Sequence, residues 1–277
     1  MSDVKMLKKE TFKTYRLMAE QFEAVYNHIK SLYGKTDAED LCKLRGYIGQ
    51  EQLDLIKELQ IGVCFIESSE INQLGTLRDE MGLTTIDKNT GEEKFLLNGR
   101  YIVPIRDIAG NLVALVGYFN DHNKYITTSS TIFSKNALFF NIDHAYRLSW
   151  EKYNGVVFLV EGIFDALSLR AIGIPAIATM GVTVENPKCE LLKFFSKVIA
   201  IPDNDRAGKK ALARGTKESW IVPPNTTFLR IKGICKTPFG DLKVKDVDNL
   251  VSYFDDVKEM LLQYKYSKEL LEELILV

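Results

Sequence analysis

The sequence is poor in the residues that build zinc sites and disulfide frameworks. Its 277 residues include only four cysteines and three histidines. No two cysteines form a CxxC pair, and no histidine stands at zinc-ligand spacing from them. We therefore expect reduced, mostly buried thiols and no zinc. The cysteines are Cys42, Cys64, Cys189 and Cys235.

Long apolar runs and a charge excess are also missing. No stretch reaches the ~18 consecutive apolar residues that a membrane-spanning helix needs, so no membrane contact is expected. The first residues are polar and charged, unlike a signal peptide, which favours a cytoplasmic location. Lys and Arg total 36 against 37 Asp and Glu, a net charge of −1. Any contact with nucleic acid must therefore come from a local basic patch.

What the chain does contain is enough apolar sequence for a folded core. Apolar residues make up 46% of it, which excludes disorder. Residues 1–150 are predicted as a mixed α+β subdomain, with a helical opening over 1–83 and a β-rich part over 84–150. Two branched runs on either side of a turn at 107–110 predict a hairpin. Pro104 within the first run indicates an edge position or a bulge.

From Val156 onward, strand and helix patterns alternate. Wholly apolar runs such as 156–160 are typical of strands covered on both faces. This order predicts a mostly parallel sheet flanked by helices over 151–255, with right-handed crossovers. A short helical segment is predicted over 256–277. The predicted fold class is therefore α/β plus α+β. Further strands are predicted at 176–179, 198–201 and 227–231. Helices are predicted at 163–171, 187–195, 206–219, 248–264 and 267–277.

Acidic residues follow three of the predicted strands at their carboxyl ends. In open α/β sheets ligands bind at that edge, so these side chains are expected to meet in one crevice. A lone DxD motif is more often a loop or a helix cap, and a lone Glu-Gly carries little information. Three such clusters, each after a strand, form a stronger pattern. The acids are Glu161, Asp165, Asp203, Asp205, Asp246 and Asp248.

Carboxylates gathered in this way repel one another unless a cation compensates them. Mg²⁺ prefers oxygen ligands and holds phosphates, and Mn²⁺ accepts the same donors. Two such ions can clamp the attacking and leaving oxygens of a phosphoryl transfer. The pattern therefore predicts Mg²⁺ or Mn²⁺ as the cofactor, with all six acids as candidate ligands.

Three segments of the second half resemble the Toprim domain, which bacterial-type primases, type IA and II topoisomerases and some nucleases share. They read LVEGIFDALSL at 159–169, TMG at 179–181 and PDNDRAGKKA at 202–211. The resemblance implies that Glu161, Asp203 and Asp205 are the catalytic, metal-binding acids. Asp165 matches the acid that follows in the glutamate motif.

The first half is similar to the RNA polymerase core of bacterial-type (DnaG-like) DNA primases. The segments that carry this resemblance are LCKLRGYIGQEQLDLIKELQIGVC at 41–64, GRYIVPIRDIAGNLVALVGY at 99–118, NKYITTSSTIFSKNALFFNIDHA at 123–145 and, after the Toprim segments, VKDVDNL at 244–250. They occur in the family's order. The resemblance implies a nucleotidyltransferase that makes short RNA primers on single-stranded DNA from ribonucleoside triphosphates in DNA replication.

Basic and aromatic residues are candidates for the template or nucleotide contact. Arg106 and Lys124 match basic residues of the primase core, and Tyr125 offers a stacking face beside Lys124. Arg100 and Lys135 are weaker candidates, and Arg206 and Lys209 begin a basic stripe on the predicted helix over 206–219. For each of these residues, a solvated surface charge is the alternative interpretation.

The chain departs from the family in two ways that bear on its partners. Its residues match neither the zinc-binding domain nor the helicase-binding domain that primases usually carry. We therefore expect a bare catalytic core without those two domains, a phage origin, and dependence on a replicative helicase or a separate template-recognition factor. Two alternatives remain open: a Toprim-type metal-dependent nuclease, and a non-catalytic adaptor that binds nucleic acid.

Overall fold

The computed structural model divides into two compact units. The first unit contains Met1–Arg45 and Ile56–Lys135, and the second contains Gly46–Leu55 and Asn136–Val277. The structure describes, by number, residues 2–47, 49–76, 78–120, 124–128, 138–181, 184, 186–205, 220–231, 234–237, 240–243, 246–248, 251 and 275–276. The predicted boundaries at 150 and 255 stay a prediction.

The first unit opens with a long amphipathic helix, α1, over Ser2–Ser31. Its apolar residues recur every three or four positions, so they share one face, and over residues 15–31, where the side chains are described, that face is largely buried. Helix α2 follows over Asp37–Arg45, and a 3-10 helix lies over Ser68–Leu74. Helix α3 over Gln50–Glu58 begins in the segment Gly46–Leu55, which belongs to the second unit, and ends in the first. The buried residues of the α1 face include Met18, Phe22, Tyr26 and Ile29.

A four-stranded antiparallel sheet forms the β part of the first unit, in the order β1-β4-β5-β6. A separate hairpin consists of β2 and β3. The strands are β1 over Gly62–Val63, β2 over Thr84–Ile86, β3 over Glu93–Phe95, β4 over Tyr101–Arg106, β5 over Leu112–Tyr118 and β6 over Tyr125–Thr127.

The predicted hairpin is confirmed, because β4 pairs with β5 across the turn at 107–110. The register of this pair shifts between Ile105 and Arg106. Pro104 therefore stands next to a bulge, where the missing backbone N–H does least harm to the ladder.

The second unit contains the predicted parallel sheet, in the order β10-β9-β7-β8. All five residues of β7 are buried, as expected for a strand covered on both faces. This confirms the predicted fold class. The elements are α4 over Ile142–Lys152, β7 over Val156–Val160, α5 over Ile163–Ala171, β8 over Ala176–Ala178, α6 over Asn186–Leu192, β9 over Lys197–Ile201 and β10 over Thr226–Phe228.

The carboxyl-terminal part of the second unit differs from the sequence prediction. Strand β11 over Arg230–Ile231 pairs antiparallel with β14 over Ile275–Leu276, and β12 over Ile234–Thr237 pairs with β13 over Gly240–Lys243. The helix predicted over 256–277 is therefore wrong at 275–276. Branched and apolar residues suit a strand once a partner edge is offered. The predicted helix over 206–219 lies outside the described residues. Within the described part of the chain, every helix is too short or too polar to cross a bilayer.

Candidate active site

The two central strands of the parallel sheet bring Glu161 and Asp203 together. Strands β7 and β9 are neighbours in parallel, with Val160 opposite Ile201. Both chains therefore leave the sheet at the same edge, where α/β proteins bind their ligands. The backbone N–H of Asp203 donates a hydrogen bond to Glu161 Oε1 at 3.2 Å. Two of the three predicted catalytic acids thus lie in direct contact.

Asp165 lies in the first turn of α5, where it is buried and organises the backbone around it. Its Oδ2 accepts a hydrogen bond from the backbone N–H of Gly162 at 3.1 Å, and its Oδ1 accepts one from Asp248 at 2.8 Å. A side chain at position 162 would collide with the Asp165 carboxylate. Glycine therefore permits the sharp passage from β7 into α5.

The acids near this edge of the sheet affect the ionisation of Asp165. Burial, followed by the negative charges of Asp246, Asp203 and Asp248, raises the pKa of Asp165 well above its usual range. The hydrogen bond from the Asp248 backbone acts in the opposite direction. Three of the other predicted acids therefore lie close enough to Asp165 for their negative charges to act on it, an arrangement that a cation would relieve.

Asp248 is held by a buried hydroxyl that the sequence analysis assigned no role. Its Oδ1 accepts a hydrogen bond from Ser168 Oγ at 2.6 Å, and Ser168 Oγ lies 3.4 Å from the Tyr47 hydroxyl. The Ser168 side chain is fully buried. The available signal was a serine inside the otherwise apolar run of α5, because a buried polar group needs a partner.

The donor set fits a hard divalent cation, although the side chains as placed do not enclose one. Among the described residues, no three His, Cys, Asp or Glu side chains are grouped closely enough to hold a metal ion. The acids at the strand ends offer only oxygen donors, as Mg²⁺ and Mn²⁺ prefer, and a cation would relieve their repulsion. Glu161, Asp203 and Asp205 are partly exposed, whereas Asp165 and Asp248 are buried.

The first unit carries an aromatic–basic cluster, which we define as Arg45, Tyr118, Lys124 and Tyr125. Lys124 Nζ lies 5.8 Å from the ring centroid of Tyr125 and 6.0 Å from that of Tyr118. The two rings are 5.4 Å apart, and Arg45 lies over Tyr118 at 5.6 Å. Tyr125 is 41% exposed, so it offers a stacking face to solvent. The predicted pairing of Lys124 with an aromatic face is therefore present.

The other predicted basic residues have different surroundings. Arg100 lies 5.9 Å from the ring centroid of Phe119, which is exposed. Arg106 forms a two-pronged ion pair with Glu23, at 2.7 and 3.0 Å, and also donates to the Gly110 carbonyl oxygen. This hydrogen bonding holds the pKa of Glu23 below its usual value. Arg106 thus forms an ion pair within the first unit, and its role as a phosphate ligand stays a prediction. Lys135, Arg206 and Lys209 lie outside the described residues.

Comparison with known proteins shows that the chain is similar to DNA primases. A family model described as Toprim-like matches residues 158–220. The DNA primase of Thermotoga maritima is 28% identical over 227 residues, which cover 78% of this chain and 39% of that protein. The DNA primase of Geobacillus stearothermophilus is 32% identical over 137 residues, covering 48% and 22%. The chain thus spans about two fifths or less of the length of these curated relatives. Both relatives are bacterial proteins, so they do not support the predicted phage origin.

Solved structures show the same fold. The RNA polymerase domain of Mycobacterium tuberculosis primase DnaG matches with a TM-score of 0.66 at 18% identity, over 88% of this chain and 81% of that one. A DnaG primase catalytic domain bound to ssDNA matches with a TM-score of 0.63 at 20% identity, over 93% and 80%. The resemblance predicted from the sequence is confirmed: the chain is similar to the catalytic (RNA polymerase) domain of DnaG-type primases, and residues 158–220 match a Toprim-like family.

Proposed function

We propose that this protein is a DNA-dependent RNA polymerase that synthesises short RNA primers on single-stranded DNA. The observation that carries the proposal is the contact between Glu161 and Asp203 at adjacent parallel strand ends, within a fold that matches primase RNA polymerase domains. Oxygen donors at such an edge suit phosphoryl transfer, in which catalysis consists mainly of positioning and of neutralising charge.

The proposed reaction joins two nucleotides. The 3′ hydroxyl of the primer, or of the first nucleotide, attacks the α-phosphate of the incoming ribonucleoside triphosphate. The bond between the α-phosphorus and its bridging oxygen breaks, pyrophosphate leaves, and the hydroxyl proton is released. Bound Mg²⁺ or Mn²⁺ would supply charge neutralisation for the triphosphate.

Each acid has a proposed part in this site. Glu161, Asp203 and Asp205 would hold the cation, because their carboxylates are partly exposed at the sheet edge. Asp165 would fix the Gly162 turn and the Asp248 backbone through the hydrogen bonds described above. Asp246 stays a predicted ligand, supported by its charge acting on Asp165.

The aromatic–basic cluster is the proposed contact for the single-stranded template. Exposed aromatic rings stack on bases, and nearby cations attract the phosphate backbone, a combination that suits binding without a sequence requirement. Arg100 beside Phe119 would extend this surface. Template binding by Arg106 would require its pair with Glu23 to open. A helicase or a separate template-recognition factor, a cytoplasmic location and a phage origin stay predictions.

Incubation of the protein with random single-stranded DNA, ribonucleoside triphosphates and Mg²⁺ tests the proposal. A primase extends products, a Toprim nuclease degrades the DNA, and a non-catalytic adaptor does neither. We expect Glu161→Gln and Asp203→Asn to reduce incorporation at least a hundredfold. Glu151→Gln, at an exposed acid of α4, is the matched control and should leave incorporation unchanged. Incorporation that survives both active-site substitutions would contradict the assignment.

A further inference from the structure

Lys188 is a buried lysine beside the candidate active site, and no part of the proposed reaction uses it. Its side chain is only 4% exposed, and its ammonium donates a hydrogen bond to the backbone oxygen of Thr179. The ring of Phe139 lies 5.5 Å from the same Nζ. Lysine is rarely buried without a partner, because removing its charge from water is costly. Its contacts with Thr179 and Phe139 help to offset this cost.

Thr179, which accepts that hydrogen bond, lies directly beside Glu161. Strand β8 runs parallel to β7 with Ala178 opposite Val160, so the next residue of each strand is Thr179 and Glu161. The Thr179 N–H donates to the Val160 oxygen at 3.0 Å, and Thr179 Oγ1 lies 3.3 Å from the backbone oxygen of Glu161. The position of Thr179 therefore bears directly on where the Glu161 side chain leaves the sheet.

The loop that follows Thr179 has a backbone conformation that needs external support. Met180 has a φ of +57°, in the left-handed region that residues other than glycine rarely adopt. Thr179 Oγ1 contacts the Gly181 oxygen and accepts a hydrogen bond from the Gly181 N–H at 3.4 Å. Such conformations persist only when their surroundings fix them. Lys188 and the Thr179 hydroxyl supply that restraint from two sides.

We propose that Lys188 is a positioning residue for the metal-binding carboxylate of Glu161. It acts through Thr179: the ammonium fixes the Thr179 carbonyl, and the Thr179 hydroxyl bridges the backbones of Glu161 and Gly181. Groups hydrogen-bonded directly to a metal-ligating side chain typically change metal affinity by about 10–100-fold when they are lost, and because Lys188 acts through the backbone we expect an effect at the lower end of that range. The inference rests on the proposed function, because it assumes that Glu161 binds the divalent ion.

Titration of the full chain with Mn²⁺ tests the role of the Lys188 ammonium. Electron paramagnetic resonance measures the free Mn²⁺ at each step. We expect Lys188→Met to weaken Mn²⁺ binding about tenfold and Lys188→Arg to recover part of the loss. Primer synthesis by Lys188→Met should rise towards wild type as Mn²⁺ is increased, which a general loss of folding would not allow. Lys193→Met is the matched control, since Lys193 is exposed and pairs with Glu190 at 2.6 Å. Unchanged affinity in Lys188→Met would overturn the proposal.

A second pair of variants keeps the test decisive if Lys188→Met does not fold. Thr179→Val removes the hydroxyl at nearly constant size and should weaken Mn²⁺ binding, whereas Thr179→Ser retains the hydroxyl and should bind nearly as wild type. Equal affinity in Thr179→Val and Thr179→Ser would overturn the inference. Because this readout needs neither template nor nucleotide, a chain that binds Mn²⁺ but makes no primers refutes only the proposed function. A wild-type chain that binds no Mn²⁺ would overturn both.

Discussion

At the scale of single residues, Ser168 links a buried carboxylate to the rest of the site. Its hydroxyl satisfies Asp248, whose backbone N–H in turn satisfies Asp165. Removing the hydrogen-bond donor of a buried carboxylate lowers the stability of the fold more than removing the donor of a buried neutral group, because the charge remains poorly solvated. The stability of this edge therefore depends on a side chain that is neither acidic nor exposed.

Replacement of Ser168 by alanine tests this dependence. We expect Ser168→Ala to lower the free energy of unfolding by about 1–3 kcal/mol, since Asp248 loses its donor. Ser149→Ala is the matched control: Ser149 is also fully buried in a helix, but its hydroxyl bonds only the backbone oxygen of Tyr146. Its loss should be smaller, about 0.5–1.5 kcal/mol. Urea unfolding of both variants measures the difference, and equal losses would speak against a special role for Ser168.

At the scale of elements, His144 lies near the start of α4, in surroundings that disfavour its protonated form. Its Nδ1 is buried and has no hydrogen-bond partner among the described residues. Burial, then the charges of Arg170 and Arg147, lower the pKa of His144 from 6.5 to about 4. The unfolded chain therefore takes up this proton at a higher pH than the folded chain does.

The sign of the resulting pH dependence follows from that difference. The contribution of His144 to stability is fully present above about pH 6.5 and is lost as the pH falls towards about 4. We expect the urea midpoint of the wild-type protein to fall more steeply over this range than that of His144→Gln, which does not titrate. Parallel pH profiles would show that the histidine is protonated equally easily in both states.

The elements also show what the sequence could predict and where it failed. Strands β7 and β9 and helix α5 were predictable, because short apolar runs end at glycine, proline or acidic residues within a few positions. Strand β14 was not, because its partner β11 lies more than forty residues earlier and only the folded chain brings the two together. The pair between Arg106 and Glu23 is similar: the residues are 83 positions apart, so no local pattern reveals it.

The acids of the site were predictable for the same local reason, whereas their supports were not. Glu161 and Asp203 follow β7 and β9 closely, so their common sheet edge could be inferred from the order of elements. Asp246 and Asp248 follow the separate β12–β13 hairpin instead of a strand of the parallel sheet, which the sequence analysis did not predict. The roles of Ser168, Thr179 and Lys188 depend on distances across the sheet and between helices. Such contacts leave no regular spacing in the sequence.

At the scale of the whole molecule, a net charge of −1 provides no general attraction for DNA. Under the proposed function, affinity for a DNA template must then depend on local surfaces such as the aromatic–basic cluster. Stacking on an exposed ring is worth about 1–3 kcal/mol per base and is insensitive to salt, whereas each phosphate contact makes binding salt-dependent. The two kinds of contact can therefore be separated experimentally.

Substitutions of the aromatic and the basic residues of the cluster should therefore change different quantities, the affinity for single-stranded DNA and its dependence on salt. We expect Tyr125→Ala to weaken binding of single-stranded DNA by about 1–3 kcal/mol with an unchanged salt slope. Lys124→Ala should lower the slope of log K against log salt by about 0.7. Phe65→Ala is the control, because Phe65 is the most exposed large apolar side chain recorded in the first unit and lies outside the cluster. Fluorescence anisotropy at several salt concentrations gives both quantities, and an effect of Phe65→Ala as large as that of Tyr125→Ala would contradict the assignment.

The most direct test of the proposed metal centre is an anomalous difference map from crystals grown with Mn²⁺ and a ribonucleoside triphosphate. Strong peaks at the carboxyl ends of β7 and β9, within ligand distance of Glu161 and Asp203 and beside the phosphates, are the expected result. If Mn²⁺ binds elsewhere, or if the phosphates lie on a surface without these carboxylates, the sheet edge is not the catalytic centre.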